Sequence, residues 1–218
     1  YKKRELIFIA FIRSPVSWVN SAWWQWGAWQ KNIDFEKWLE SSTLNVRWNR
    51  YFSKFKSLSK KHKLLLKPYK NNVVLDMLNI LEIDKNDYKI FDKINQTLPI
   101  EVLKIFLDNP KIREKIHQNK FNNIVSNYIN LRNVKSKKVP WVLKKSHINF
   151  IIKNTFDSNL KLIDLLDDED KQILLNDSSW WDITFYKDIK TYDPYLRDFS
   201  LRDDSKVLFD ELKKLLKT

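Results

Sequence analysis

The chain has no cysteine, a single glycine and only three histidines in 218 residues. Without cysteine it can form neither a disulfide framework nor a cysteine-based metal site, and this composition fits any redox compartment. One glycine is too few for a glycine-rich phosphate loop. The histidines lie too far apart to form a zinc motif, so we expect no resident metal ion: His62, His117 and His147.

Long hydrophobic runs are also missing. The longest, such as Leu6–Ile12, fall far short of the roughly 20 residues that a membrane-spanning helix needs. No charged start, apolar middle and small-residue cleavage site of a signal peptide is visible. We therefore predict a soluble, cytoplasmic protein. The hydrophobic share of 43% and the aromatic share of 14% are enough to bury a core.

The charge balance is strongly basic, with 40 Lys and Arg against 27 Asp and Glu and a net charge of +13. This balance favours a polyanionic partner, such as nucleic acid, an anionic membrane, an acidic glycan or a phosphate-rich cofactor. A compositional bias spread over solvated faces is an equally good interpretation. The basic residues occur in every segment, which makes a dedicated nucleic-acid-binding face less favoured.

The first segment predicts a strand followed by a helix. Glu5–Ile12 is apolar after its first residue, which is typical of a strand buried on both faces of a parallel sheet. Ser14 as cap and Pro15 as first helical residue form a good helix start. The helix is expected to run to about Trp26 and to end at Gly27, a natural C-cap.

The remaining pattern predicts one domain over residues 1–218, with an α/β part (1–83) and a mainly helical part (84–218). Alternating strands and helices in the first part favour a parallel sheet with helices packed on it. The last predicted elements before the C-terminus are an aromatic, turn-rich stretch, Trp180–Phe199, and a helix, Asp203–Leu216. The other predicted elements are helices at Phe35–Leu39, Leu44–Leu58, Val73–Ile83, Leu98–Leu107, Ile112–Leu131 and Phe150–Leu166, a strand at Leu64–Leu66, and a basic loop at 135–138.

The end of the first strand carries the residues that point to chemistry. Arg13 lies where a predicted parallel strand ends, and such ends are where α/β folds bind ligands. Ser14 begins a helix whose N-terminal amides suit a phosphate. Ser17, Ser21 and Trp24 follow at positions i, i+4 and i+7 of that helix, so they share one face. Together these groups predict an anion site.

Arg13, Pro15 and Ser21 match, in identity and spacing, a pattern of sulfotransferases that use 3′-phosphoadenosine 5′-phosphosulfate (PAPS). The longer stretch RSPVSWVNSAWWQW resembles the bacterial branch that acts on surface polysaccharides. The resemblance implies that Arg13 and Ser21 hold the 3′-phosphate of the nucleotide. Ser14 and Ser17, on the same helix start, are further candidates for this site.

Later segments are similar to the same family, so the resemblance extends from about Ile7 to Trp181. They correspond to the family's next strand and leucine-rich helix, its Asn-x-Ser/Thr-Leu entry into a helix, and its final helix with an Asn-Leu turn. In chain order the segments are Leu64–Ile83, Asn95–Pro99, Phe156–Leu160 and Asp177–Trp181.

The chain departs from the family in having no glycine- and lysine-containing phosphate loop, which in the family cradles the 5′-phosphosulfate and supplies a catalytic lysine. Because Tyr1 is not a natural start, we expect that an N-terminal part of the P-loop-type fold is absent from this chain; the alternative is that catalysis has been lost. No general base is assigned.

The resemblance implies transfer of a sulfuryl group from PAPS to a hydroxyl, expected to lie on a carbohydrate. The alternative is a non-catalytic anion-binding or nucleic-acid-binding α/β module. Trp24 or Gln25 is a candidate for the substrate cleft, and His147 for a proton shuttle. Structural roles compete throughout, because Arg13 could pair with a carboxylate and Ser21 with its own backbone. The tryptophans of this region are more typical of a core: Trp18, Trp23, Trp24, Trp26 and Trp29.

Overall fold

The computed structural model describes residues 6–30, 32–58, 62–69, 73–84, 86, 98–111, 113 and 139–215. The described chain is mostly helical and contains a small parallel sheet, which confirms the α/β class. Short 3-10 turns lie at Gly27–Trp29, Lys161–Leu165 and Ile183–Tyr186. The strands and α-helices are β1 (Ile7–Ile12), α1 (Pro15–Gln25), α2 (Phe35–Asn45), α3 (Trp48–Leu58), β2 (Lys63–Pro68), α4 (Val73–Ile80), α5 (Ile100–Asp108), α6 (Lys145–Leu160), α7 (Asp168–Asn176), α8 (Ser178–Trp181) and α9 (Asp203–Leu215).

The chain forms two compact units, each assembled from separate stretches of sequence. The first unit contains the sheet, and the second contains an aromatic cluster. The expectation of one domain with a division near residue 83 stays a prediction. The first unit comprises Tyr1–Val19, Leu39–Ile94 and Lys145–Asp188, and the second Asn20–Trp38, Asn95–Lys144 and Ile189–Thr218.

In the first unit, β1 and β2 pair in parallel, from Ile7 beside Lys63 to Ile12 beside Pro68. The connection between them contains helices, as a parallel crossover requires. The pairing continues one step past β2, because the Tyr69 N–H donates to the Ile12 carbonyl oxygen at 2.6 Å. Both strands therefore end at the same edge, and the residues that follow them become neighbours.

The prediction that the first strand is buried on both faces is wrong. Ile12 is 2% exposed, whereas Ile7 at the other end of β1 is 58% exposed. Within the described residues the sheet has two strands, and the core covers the strands at their carboxyl ends. That core consists of Ile12, Leu66, Leu162, Leu174 and Trp180.

In the second unit, Trp23 is fully buried at the centre of an aromatic cluster. Three rings meet its indole edge-on: Phe35 at 4.9 Å, Trp38 at 5.1 Å and Tyr195 at 5.6 Å between centroids. Its Nε1 donates to the Pro194 carbonyl oxygen at 2.9 Å, so the polar edge of the ring is satisfied. The core interpretation of the tryptophans is thus confirmed for Trp23.

Gly27 does not act as the left-handed C-cap that the sequence predicts, because its φ is not positive. It begins the 3-10 turn Gly27–Trp29 instead. A Cβ at this position would lie 2.7 Å from Cε2 of Trp38 and closer still to the Trp23 ring. The glycine is therefore needed for the close approach of two indoles.

Two helix boundaries differ from the predictions. The helix predicted at Leu44–Leu58 begins at Trp48 instead, since α2 continues to Asn45. The helix predicted from Phe150 begins at Lys145 and ends at Leu160, where the 3-10 turn takes over. Most of the predicted Ile112–Leu131 helix, the 135–138 loop and residues 95–97 lie outside the described residues.

Candidate functional site

Arg13 lies between β1 and α1, at the carboxyl end of the sheet. Its carbonyl oxygen accepts a hydrogen bond from Trp48 Nε1 at 3.0 Å. Its guanidinium lies 5.7 Å from the centroid of the Tyr69 ring. Burial lowers the pKa of Arg13, but an arginine remains charged at neutral pH. The positively charged Arg13 therefore lies at the end of β1, which is the position that the sequence predicts.

Ser14 begins α1 through its backbone, because its carbonyl oxygen accepts from the Trp18 N–H at 2.9 Å. Its side chain is 4% exposed and behaves differently from the predicted cap. Ser14 Oγ makes no hydrogen bond of regular geometry with the described residues, and it lies beside the Tyr186 hydroxyl. Ser17, one turn later, is partly exposed and also lies beside that hydroxyl.

Tyr186 is a member of this site that the sequence pattern does not indicate. It ends the 3-10 turn Ile183–Tyr186, is 5% exposed, and donates its hydroxyl proton to the Ser179 carbonyl oxygen at 2.5 Å. Burial raises the pKa of Tyr186, and the Ser14 and Ser17 hydroxyls lower it in part. Its position within an aromatic, turn-rich stretch offers no specific signal, because the approach to α1 depends on tertiary packing.

Three of the predicted binding residues, Arg13, Ser14 and Ser17, belong to the first unit, and each interacts with Tyr186. Ser21 is partly buried on α1 and belongs to the second unit. His147, in the first turn of α6, belongs to the first unit and is buried. The roles of Ser21 in nucleotide binding and of His147 in proton transfer stay predictions.

Trp24 and Gln25 lie at the end of α1 in the second unit. Trp24 is buried, and its Nε1 donates to the Pro140 carbonyl oxygen at 2.7 Å. Gln25 is exposed. The Trp24 geometry is that of a core tryptophan with a satisfied indole N–H, while Gln25 remains accessible to a ligand. A cleft role for either residue stays a prediction.

No protein-family model, curated protein or solved structure matches this chain. In the described ranges no three His, Cys, Asp or Glu side chains are grouped to hold a metal ion. Across the same ranges no helix combines the length and the apolar character needed to cross a membrane. The sulfotransferase resemblance rests on the sequence pattern alone.

Three charged side chains form a cluster at the end of β2: Lys67, Asp167 and Asp170. Lys67 Nζ lies 2.5 Å from Asp170 Oδ2 and 2.9 Å from Asp167 Oδ2. Burial raises the pKa of Asp170 despite the nearby ammonium group. The pKa of Asp167 is lowered, first by the Asp170 N–H that it accepts as the cap of α7 and then by Lys67. Burial lowers the pKa of Lys67, but its two carboxylate partners raise it further, so the net shift is upward.

Asn159 is buried, and its hydrogen bonds help to hold the backbone at the carboxyl end of β1. Asn159 Oδ1 accepts from the Trp48 N–H at 2.9 Å, and its Nδ2 donates to the Val46 carbonyl oxygen at 3.0 Å. These bonds hold the junction of α2 and α3 against α6, and they set the position of the indole that binds the Arg13 carbonyl oxygen. The backbone at Arg13 is therefore held by packing as well as by the sheet.

Proposed function

We propose that this chain is part of a PAPS-dependent sulfotransferase that transfers a sulfuryl group to a hydroxyl, on a carbohydrate acceptor, and that it holds the 3′-phosphate of the donor. One observation carries the proposal: Arg13, Ser14 and Ser17 follow the carboxyl end of β1 at the start of α1 in the first unit, and all three interact with Tyr186. The sequence pattern Arg13-x-Pro15, with Ser21 following, supports the assignment to this nucleotide.

The groups fit a phosphate dianion chemically. A guanidinium donates charge-assisted hydrogen bonds, serine hydroxyls donate further ones, and the first amides of α1 add the positive end of the helix dipole. A hydrogen bond to a charged group contributes about 1.5–3 kcal/mol. A site of this composition selects phosphate or sulfate esters over neutral ligands.

The role of Arg13 in such a reaction is binding. The 3′-phosphate of PAPS is remote from the sulfuryl group that is transferred from the 5′ side, so Arg13 contacts the donor equally before and during transfer. Interactions of this uniform kind lower KM and leave kcat unchanged. The transfer itself is an in-line displacement in which a base accepts the acceptor's proton, and we assign no residue to that base.

Calorimetric titration with 3′-phosphoadenosine 5′-phosphate tests the proposal. We expect the wild-type chain to bind it, and Arg13→Ala to bind about tenfold to a hundredfold more weakly, the loss of one charged hydrogen-bonding group. Arg197→Ala is the matched control, because it removes the same charge from an exposed, ion-paired side chain. Equal affinities of wild type and Arg13→Ala would refute the assignment of Arg13.

The same titration distinguishes the alternative function. A nucleic-acid-binding module would prefer a single-stranded oligonucleotide to the mononucleotide, and its affinity would fall steeply with salt because several phosphates release counterions. We expect the oligonucleotide not to compete with 3′-phosphoadenosine 5′-phosphate at 150 mM salt, on the order of physiological ionic strength. Tight, salt-sensitive oligonucleotide binding would favour the module instead.

A further inference from the structure

A cavity lies in the first unit at the amino end of β2, at the opposite end of the sheet from Arg13. Its volume is about 150 Å³, and it is partly open to solvent. Helix α3, the start of β2 and the end of the 3-10 turn Lys161–Leu165 contribute its walls. The lining residues are Phe55, Lys56, His62, Leu64 and Leu165. The cavity is therefore separate from the anion site at the start of α1.

Three of the lining side chains are apolar and only partly buried: Phe55, Leu64 and Leu165. The Phe55 ring is supported by Phe8 of β1, which meets it edge-on with 4.5 Å between the ring centroids. Apolar surface that a ligand removes from water contributes favourably to binding. An apolar cavity of about 150 Å³ can hold one molecule of benzene. The body of a ligand that fits here is thus a single ring.

His62 is held in one orientation by the segment that begins β1. Its Nδ1 accepts a hydrogen bond from the Leu6 N–H at 3.3 Å, while the Lys63 N–H donates to the Leu6 carbonyl oxygen at 2.9 Å. Because Nδ1 is the acceptor, the neutral imidazole carries its proton on Nε2. His62 therefore acts toward a ligand as a hydrogen-bond donor.

Lys56 supplies a positive charge to the cavity from the exposed side of α3. Among the described residues that line the cavity, none is acidic. The polar part of the lining thus consists of an ammonium group and an imidazole N–H, which are both donors. A carboxylate offers two acceptor oxygens and a negative charge, so it satisfies both donors with charge-assisted hydrogen bonds.

We propose that this cavity binds a carboxylate that carries one aromatic ring. The carboxylate group lies at Lys56 and His62, and the ring packs against Phe55, Leu64 and Leu165. Ligand sites commonly combine apolar walls with a few polar groups that orient the ligand, as this lining does. The site is a second binding site of the first unit, and the inference does not depend on the proposed sulfotransferase function.

NMR titration of the chain with benzoate tests the inference, and benzyl alcohol is the neutral counterpart of similar shape. We expect benzoate to bind saturably, with a dissociation constant on the order of 1 mM, and benzyl alcohol to bind about threefold more weakly because it lacks the charge. The methyl signals of Leu64 and Leu165 should shift on addition of benzoate. Leu64→Ile and Leu165→Ile assign these two signals.

Lys56→Gln removes the ammonium group and should weaken benzoate binding by about twofold to fivefold, the usual effect of an ion pair at an exposed position. Lys54→Gln is the matched control, because it removes the same charge from an exposed lysine of α3 that does not line the cavity. It should keep wild-type affinity for benzoate. Arg13→Ala should do the same, because Arg13 belongs to the other site.

Each outcome decides for or against the cavity. Saturable binding that shifts both leucine signals and is weakened only by Lys56→Gln supports the inference. It is overturned if benzoate does not saturate the chain, if the Leu64 and Leu165 signals stay in place, or if benzyl alcohol binds as tightly. Equal losses for Lys56→Gln and Lys54→Gln, or a loss of benzoate binding in Arg13→Ala, also overturn it. None of these results bears on nucleotide binding, which the calorimetric titration measures separately.

Discussion

The Arg13 guanidinium lies over the face of the Tyr69 ring, 5.7 Å from its centroid. The two residues directly follow the neighbouring strands β1 and β2, and the Tyr69 N–H bonds to the Ile12 carbonyl oxygen just before Arg13. A cation in this position is attracted by the negative face of the ring. The parallel pairing of two distant segments thus limits where the arginine side chain can point.

Replacing Tyr69 with Leu should weaken nucleotide binding by about twofold to fivefold, because an exposed cation–π contact contributes about 0.5–1 kcal/mol. The ring is 46% exposed and the backbone hydrogen bond survives, so the free energy of unfolding should change little. Calorimetry and urea denaturation measure the two quantities. Tyr69→Phe keeps the ring face and should bind like wild type; a loss equal to that of Tyr69→Leu would show that the ring face is not responsible.

Replacing Asn159 with Ala should lower the free energy of unfolding by about 1–3 kcal/mol, because it leaves the buried Val46 carbonyl oxygen and the partly buried Trp48 N–H without this partner. Asn154→Ala is the matched control on the same helix, since that side chain is partly exposed and bonds only within α6. We expect Asn154→Ala to stay within about 0.5 kcal/mol of wild type in urea denaturation. Similar losses of the free energy of unfolding for the two variants would contradict a stabilising role of the Asn159 side-chain hydrogen bonds.

Replacing Gly27 with Ala should lower the free energy of unfolding by about 1–3 kcal/mol, the usual cost of overpacking a core. The added methyl group meets the indole rings of Trp23 and Trp38. The double change of Gly27→Ala with Trp38→Leu should lower the free energy of unfolding by less than the sum of the two single changes, because leucine makes room for the added methyl group. A thermal midpoint of Gly27→Ala equal to that of wild type would show that the close approach is not required.

Local chemistry in the sequence is sufficient to predict the elements that frame the site. Ser14 and Pro15 place the start of α1 correctly, and the apolar runs ending at Ile12 and near Pro68 place both strands. Backbone preferences and hydrophobic patterning act over a few residues, so they can be read directly from sequence.

The features that the sequence does not predict depend on tertiary contacts. A glycine at the end of a helix predicts a C-cap. In the structure, however, Gly27 is needed because it lies very close to Trp38 on another helix. Tyr186 lies beside Ser14 and Ser17 although it is distant from them in the sequence. No periodicity or spacing within one segment encodes either relationship.

Asp167 and Asp170, the two carboxylates beside Lys67, should contribute to the free energy of unfolding with opposite dependence on pH. The folded-state pKa of Asp167 lies below its unfolded value near 3.8, so its ionised form contributes stability above that pH, and the contribution is lost as the pH falls through the folded-state pKa. The folded-state pKa of Asp170 lies above its unfolded value because of burial. Its contribution is therefore fully present below pH 3.8 and is lost as the pH rises through the folded-state pKa.

Urea denaturation of Asp167→Asn and Asp170→Asn from pH 3 to pH 7, the range in which carboxylates titrate, measures this difference. The deficit of Asp167→Asn relative to wild type should grow with pH and reach no more than about 1 kcal/mol, since the carboxylate is exposed and asparagine still caps α7. The deficit of Asp170→Asn should instead shrink as the pH rises, because asparagine imitates the protonated acid that burial favours. Deficits that change in the same direction would show that the two carboxylates do not differ in environment as the structure places them.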